Sequence, residues 1–336
     1  MSTVPRPGRP VTIRDVAQRA GVSHQTVSRY LRADATVRES YRDAIAAAIA
    51  DLDYQPNLAA RAMRTRHTGR MAVLLPEGPT ASSGDVLRGV SGAVREAGFT
   101  VDVVALGGSP DERRRRALDL LGSGLFEGVL ALTPLGLPAP GAGAPTVVEF
   151  PLYDDDLHGI GELATAAPIR ELVARLAAAG HRGFLHLAGS YEHESACARR
   201  DAYLTAVAEL GLDDRGVVEC HWDPAVAMHA VADLPADGGV TAVIAANDLL
   251  ALGAVRGAIG RGWRVPEDLS VTGFDTGTVA GWTTPALTSV AIDHTEVGRR
   301  AGASLLRALG LEPTEAAAPL MSPVWRESTG PAAHAY

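Results

Sequence analysis

The stretch VTIRDVAQRAGVSHQTVSRYLR, residues 11–32, decides the fold of the N-terminal part of this chain. Thr12 is followed three residues later by Asp15, a pair typical of a capping box at the start of a helix. Gly21 ends this first helix, and Ser23 can cap a second one directly after it. Two short helices joined by so tight a turn predict a helix-turn-helix.

The second helix of this pair exposes side chains that can read DNA, because the first residues of a recognition helix reach base edges in the major groove. Gln25 can pair bidentately with adenine, and Arg29 can pair with guanine or with a phosphate. The further candidates on this helix are His24 and Ser28. The hydroxyl groups available to phosphates belong to Thr12, Ser23, Thr26 and Thr36. A small helical adaptor with solvated arginines is the alternative that a helix pair alone leaves open.

The charge of the chain is distributed unevenly along its length. The net charge is −8 overall. Residues 1–70 nevertheless hold 12 arginines and 6 acidic residues, a net charge of +6, and the remainder holds 19 arginines and 33 acidic residues, a net charge of −14. A basic head on an acidic body is expected when only the head meets nucleic acid.

From Met71 onward, apolar runs alternate with helical stretches such as RELVARLAAAGH. The predicted strands are MAVLLP (71–76), FTVDVVAL (99–106), GVLALTP (128–134), TVVEF (146–150), FLHLAG (184–189), TAVIAAND (241–248) and LSVTGFD (269–275). This alternation is typical of parallel α/β proteins. It provides enough units for two doubly wound subdomains of about 110 residues each.

Composition excludes several classes of protein. The chain has 336 residues, of which 46% are hydrophobic and 21% are charged, so it can bury a core and is not disordered. No apolar run reaches the length of a membrane span, and no secretory signal is readable, so we expect a cytoplasmic protein without a membrane partner. The sequence has no metal-ligand spacing, phosphate-binding loop or nucleophile motif. It therefore predicts neither an enzyme nor a cofactor or metal.

The stretch at 11–32, followed by Tyr54, Pro56, Asn57 and AARAM (59–63), closely resembles the LacI/GalR family of bacterial transcriptional regulators. The resemblance continues more weakly through AANDLLALGAVRGAIGRGWRVPEDLSVTGFD (245–275), TTPALTSV (283–290) and WREST (325–329). It implies a small all-α helix-turn-helix head joined to an α/β sensor of two doubly wound subdomains, like a periplasmic binding protein. The implied domains are a head (1–56), a hinge helix and linker (57–68) and a core (69–336), whose subdomains are 69–179 with 292–310 and 180–291 with 311–330.

In that family the segment matching Asn57–Arg64 is a hinge helix that folds on the operator and inserts an apolar side chain into the minor groove. Met63 occupies the wedge position, where the family more often has leucine. Packing of Met63 against the sensor domain is the alternative. The resemblance adds Tyr54, Asn57 and Ala60 to the expected DNA contacts.

The same resemblance points to an effector site in the sensor. Arg199, Asn247 and Asp275 follow predicted strands, where ligands of open α/β sheets bind, and their groups suit the hydroxyls of a polyol. Trp222, in HWDPA, resembles a family tryptophan that covers the apolar face of a sugar. The alternatives are a helix cap for Asn247, a turn residue for Asp275 and a core residue for Trp222. An acid that the family has near 166–167 is replaced by alanine, which leaves a non-sugar or degenerate site open.

We therefore expect a homodimeric repressor on the bacterial nucleoid that binds a pseudopalindromic double-stranded operator under the control of a small sugar-like effector. A sugar-binding transport protein and a sugar-acting enzyme are the competing hypotheses. The first would lack the head, and the second would need a reacting pair of residues, whereas Arg199, Asn247 and Asp275 form a binding set. The sequence leaves open the effector, the operator and the sign of the response.

Overall fold

A computed structural model describes residues 11–31, 34, 36–55, 67–78, 83–138, 144–154, 158–235, 239–275, 280–313 and 319–332. The chain divides after Thr68 into two compact units, residues 1–68 and 69–336. The predicted hinge contacts Asn57, Ala60 and Met63 lie outside the described residues. None of the helices in the described ranges has both the length and the apolar composition that a membrane crossing requires.

The described part of the first unit contains three helices: α1 (Ile13–Ala20), α2 (His24–Tyr30) and α3 (Glu39–Asp51). At the start of α1, the Asp15 carboxylate accepts hydrogen bonds from the N–H and the hydroxyl of Thr12, at 2.8 and 2.6 Å. Gly21 ends α1 in the left-handed conformation, at φ 66°. The predicted helix-turn-helix is confirmed, and these end residues explain why two such short helices form.

The described part of the second unit contains two four-stranded parallel sheets. The first sheet has the order β2-β1-β3-β4 and consists of β1 (Arg70–Pro76), β2 (Thr100–Leu106), β3 (Gly128–Ala131) and β4 (Thr146–Glu149). The second has the order β6-β5-β7-β8 and consists of β5 (Gly183–Ala188), β6 (Asp213–Glu219), β7 (Ala242–Ala245) and β8 (Ser270–Thr272). Two such sheets confirm the predicted pair of α/β subdomains.

Helices cover these sheets. Two of them follow strands of the first sheet: α4 (Ser83–Glu96) and α5 (Pro110–Gly122). Four accompany the second sheet: α6 (Ala167–Ala178), α7 (Glu194–Glu209), α8 (Pro224–Ala232) and α9 (Asp248–Gly260). The last elements are an antiparallel strand pair, β9 (Ser289–Ile292) and β10 (Met321–Val324), and the helix α10 (His294–Ala308) between them. Single 3-10 turns lie at Gly161–Ala164 and Ala280–Trp282.

The structure differs from the sequence-based boundaries at α6. Ile169 and Leu172 of this helix are buried with Phe184 of β5 and Tyr203 of α7, so α6 belongs to the second sheet. The boundary at residue 179 assigned it to the first subdomain. The helix α10 lies on the first sheet, where Val297 and its neighbours join the core of β1 and α4.

The helices α4 and α10 contact each other through glycine. A Cβ atom added to Gly298 would lie 1.9 Å from the carbonyl oxygen of Val86, and one added to Gly89 would lie 1.9 Å from that of Thr295. Because both obstructing atoms belong to backbone, they cannot rotate away. The two helices can therefore pack at this distance only without side chains at these positions.

This contact yields a stability prediction. Gly298→Ala should destabilise the second unit by about 1–3 kcal/mol, because the overpacking outweighs the better helix propensity of alanine. Gly92→Ala, in α4, is the matched control, since a Cβ there meets no atom within 4 Å. The control should gain up to about 1 kcal/mol. Urea unfolding of both variants measures the difference, and a Gly298→Ala protein as stable as the parent would contradict the close packing.

Candidate DNA-binding and effector sites

The predicted recognition helix α2 presents its polar face outward. Val27 is fully buried and anchors the helix in the core of the head, while His24 and Gln25 are exposed. Arg29 is also exposed and lies four residues after Gln25, so the two share one face of the helix. Ser28 is half-buried beside them. The structure thus presents the side chains of His24, Gln25 and Arg29 together on one exposed surface of α2.

Arg29 is held by residues beyond the end of α2. Its Nε donates to Asp34 Oδ2 at 3.0 Å, and its Nη2 donates to the hydroxyl of Thr36. Hydrogen bonds from Thr36, and then the Arg29 guanidinium, hold the pKa of the Asp34 carboxyl well below its usual range. Two of the predicted DNA contacts, Arg29 and Thr36, are therefore joined through an acidic residue that the sequence analysis did not single out.

Other side chains of the head that are predicted to contact DNA form hydrogen bonds at the ends of its helices. The hydroxyl of Thr12 donates to Asp15, and the hydroxyl of Ser23 lies 2.8 Å from that of Thr26. Tyr54 packs in the core of the head: 9% of the residue is exposed, and burial raises the pKa of its hydroxyl. Its predicted DNA contact stays a prediction.

The four predicted effector residues all lie beyond the carboxyl ends of strands of the second sheet. Trp222 follows β6, Asn247 follows β7 and Asp275 follows β8. Arg199 lies in α7, which follows β5; it is in the second turn of that helix rather than at its start, because α7 begins at Glu194. This edge is where open parallel sheets bind ligands.

Arg199 is the centre of the predicted effector set. The residue is 4% exposed. Its guanidinium lies 3.7 Å from the ring centroid of Phe274 and donates to the carbonyl of Ala246 at 2.5 Å and to Asp275 Oδ1 at 3.2 Å. Burial lowers the pKa of Arg199, and the Asp275 carboxylate opposes this shift. Among the described residues, nothing accepts a hydrogen bond from its buried Nε.

Asp275 combines an unusual backbone with an accessible carboxylate. Its φ of 94° lies in the left-handed region, which is rare outside glycine and asparagine. Its N–H donates to the carbonyl of Val290 at 3.0 Å, which ties this conformation to β9. Although it pairs with Arg199, 45% of its side chain is exposed. Local strain that places a polar group in reach of solvent is common at binding sites.

Asn247 caps a helix, as the alternative interpretation held. Its side-chain oxygen accepts a hydrogen bond from the N–H of Leu250 at 2.9 Å, at the start of α9. Within the described residues its amide hydrogens have no acceptor. The cap and a ligand contact are therefore compatible, because they use different atoms of the side chain.

Trp222 lies on a separate groove at the same edge of the sheet. Its indole packs over Gly189, where an added Cβ would lie 2.2 Å from Cζ2, and its ring centroid is 5.9 Å from that of His193. Both Trp222 and His221 have left-handed backbones, at φ 60° and 49°. The groove of about 580 Å³ is lined by Ser190, Tyr191, Glu192, His193, Glu219, His221 and Trp222. Trp222 also packs partly against the hydrophobic core, as its alternative interpretation predicted.

Several residues of these sites were not found from the sequence. Phe274 and Ala246 directly precede the predicted site residues Asp275 and Asn247. The sequence therefore placed them near the site but did not indicate that they contact Arg199. His193 lies five residues after the end of β5, a position from which loop residues of such sheets often reach a ligand. Asp34 carried no signal, because an acidic residue near a DNA-binding helix is usually solvated.

Two family models match the chain. The model described as bacterial regulatory proteins, lacI family, matches residues 12–57, and the model of a periplasmic binding protein-like domain matches residues 173–329. Among curated proteins, the HTH-type transcriptional regulator CelR of Thermobifida fusca is 33% identical, with 90% of this chain and 93% of the relative covered. The HTH-type transcriptional repressor PurR of Serratia proteamaculans is 29% identical, with 88% and 89% covered.

Solved structures agree with these relatives. The lac repressor dimer bound to operator and the anti-inducer ONPF is 25% identical, with a TM-score of 0.72, and covers 96% of this chain and 100% of its own. The complex of the transcriptional regulator CelR with cellobiose is 29% identical, with a TM-score of 0.54, and covers 95% and 100%. The resemblance drawn from the sequence is thereby confirmed: this chain belongs to the LacI family of bacterial regulatory proteins and is a DNA-binding transcriptional regulator, not an enzyme.

Proposed function

We propose that this regulator is a repressor whose binding to a specific operator is controlled by a small sugar-like effector. One observation carries the proposal: a basic head with an exposed recognition helix precedes a core in which the buried Arg199 pairs with the accessible carboxylate of Asp275. The first feature binds DNA, and the second binds a ligand that offers both acceptors and donors.

A sugar fits the chemistry of the second feature. Arg199 and the amide of Asn247 are donors, and Asp275 is an acceptor. Trp222, on the separate groove at the same edge of the sheet, would supply an apolar ring face for the C–H face of a pyranose. The relative CelR was solved with cellobiose, which supports a saccharide as the first class of effector to test. The alanines at 166–167 stand where the family has an acid, so the preference of relatives for a particular sugar is not carried over to this chain.

The assembly proposed for DNA binding is a homodimer on a pseudopalindromic operator. The lac repressor structure similar to this chain is a dimer on operator. In the second subdomain of this chain, large apolar side chains are exposed, and 86% of Trp282 is accessible. Val226, Leu249 and Ile259 are among the others. We propose that they contribute to the dimer contact, which would place two heads on two half-sites.

The proposed control acts through the hinge segment, residues 57–64. A segment this short does not persist as an isolated helix in water, so it would need the partner hinge and the operator to fold. Effector binding would shift the attached subdomains and alter the spacing of the two hinges. Met63 would act as the wedge in the minor groove. These events would take place at the nucleoid, in the bacterial cytoplasm.

DNA recognition by α2 is tested with Gln25→Ala. An operator is first selected from randomised double-stranded DNA with the parent protein. The variant should lose about 1–3 kcal/mol on this operator and little on random DNA, because a glutamine contributes to sequence preference and not to phosphate affinity. Gln18→Ala removes an exposed glutamine of α1 and serves as the control. Fluorescence anisotropy measures both; equal losses on the two DNAs would exclude the assignment.

The effector site is tested with Asp275→Ala. The variant should bind operator like the parent but should fail to respond to any mono- or disaccharide, cellobiose included, that changes the parent's operator affinity. The physical reason is that Asp275 supplies the only carboxylate among the four predicted effector side chains, and hence their strongest acceptor. Asp213→Ala, which removes an equal charge from the amino end of β6 in the same sheet, should respond normally. A normal response from Asp275→Ala would move the effector site elsewhere.

A further inference from the structure

We propose that Asp34 is a positioning residue for sequence readout: it orients the Arg29 guanidinium so that Arg29 can recognise one base of the operator. The inference rests on the proposed contact of Arg29 with DNA and deepens it. Asp34 is an acidic residue beside the recognition helix of a basic head. Its negative charge opposes the attraction of the head for phosphates, so a contribution to DNA binding must come from something other than charge.

Asp34 is held in place from several directions. Its Oδ1 accepts from the N–H and the hydroxyl of Thr36, at 2.9 and 2.6 Å. Its own N–H donates to the carbonyl of Arg29 at 3.1 Å, and its carbonyl accepts from Arg42 Nη2 at 2.6 Å. Arg42 in turn donates to the carbonyl of Val37 at 3.0 Å. The second carboxylate oxygen, Oδ2, is thereby fixed at the end of α2, next to Arg29.

The contact with Oδ2 determines which part of Arg29 remains available. Asp34 accepts from Nε at 3.0 Å, and Thr36 accepts from Nη2. Among the residues that the structure describes, no acceptor takes the Nη1 hydrogens. A guanidinium is planar, so fixing Nε and one edge fixes the plane of the whole group. The Nη1 end of the group is thereby left available in a set orientation, on an exposed residue that shares one face of α2 with Gln25.

This arrangement suits a guanine contact better than a phosphate contact. A phosphate accepts an arginine from many directions, whereas the O6 and N7 atoms of guanine require two donors in one plane. An exposed ion pair alone contributes little to the stability of a fold. The carboxylate must also weaken the attraction of the head for DNA in general, because it lies close to the DNA-facing surface. What it provides is orientation, at some cost in sequence-independent affinity.

The test compares base preferences. The full-length parent, Asp34→Ala, Arg29→Ala and the control Asp51→Ala are each used to select from randomised double-stranded DNA, and binding to single-base variants of the selected site is then measured. The control removes the same charge from another exposed ion pair of the head, Arg19–Asp51. We expect Asp34→Ala and Arg29→Ala to relax the same base position, Asp34→Ala by roughly fivefold or more. Asp34→Ala should bind random DNA at least as tightly as the parent, and Asp51→Ala should keep the parent's preference.

Other outcomes overturn the inference. Relaxation at a position that Arg29→Ala leaves intact would show that Asp34 does not act through Arg29. Tighter binding to all sequences with unchanged preference would make Asp34 an electrostatic brake only. A parent that selects no sequence would contradict the proposed function itself, and the inference with it. If Asp34→Ala does not fold by circular dichroism, Asp34→Asn replaces it; it keeps one acceptor oxygen, so its discrimination should lie between those of the parent and Arg29→Ala.

Discussion

The buried guanidinium of Arg199 constrains the arrangement of the second subdomain. A charge that is 4% exposed is costly unless protein groups replace the water it has lost. Those groups come from the ends of two different strands: the carbonyl of Ala246 after β7, and Asp275 with the ring of Phe274 after β8. Because Arg199 itself lies on the helix after β5, one side chain brings three connections of the sheet to the same point. The site is thus held together by the residue that is proposed to bind the ligand.

The head depends on a different constraint, namely that its helices are very short. The helix α1 has eight residues and α2 has seven, so neither could persist alone. Their ends are closed by side chains and by a left-handed glycine, and Val16, Val27 and Ile45 join the three helices in one small core. The exposed side chains of His24 and Gln25 then remain available to a partner, since the core does not use them. Beyond the end of α2, Asp34 likewise holds Arg29 by a side-chain hydrogen bond.

Much of the architecture followed from local patterns. Helix ends, buried strands and the strand–helix alternation are written in neighbouring residues, and the family resemblance supplied the arrangement of the two subdomains. The strand β6 was missed because it is an edge strand that begins with exposed Asp213, Asp214 and Arg215 instead of an apolar run. The placement of α6 depends on packing against Phe184 and Tyr203, which no local pattern reports. The burial of Tyr54 was missed for the same reason. The contacts of Arg199 and Arg29 join residues whose partners only the folded chain brings together.

The cap made by Asn247 has a consequence for the proposed ligand. Because its oxygen already accepts from the N–H of Leu250, we expect its amide hydrogens to turn toward the site. Arg199 can also only donate, which leaves Asp275 as the acceptor. In the proposed site this division sets a polarity for the bound molecule. An oxygen facing Asn247 or Arg199 serves as an acceptor whether it belongs to a hydroxyl, an ether or a glycosidic bridge. The oxygen facing Asp275 must carry its hydrogen. Methylation would therefore be tolerated on an oxygen that faces Asn247 or Arg199 and rejected on the oxygen that faces Asp275.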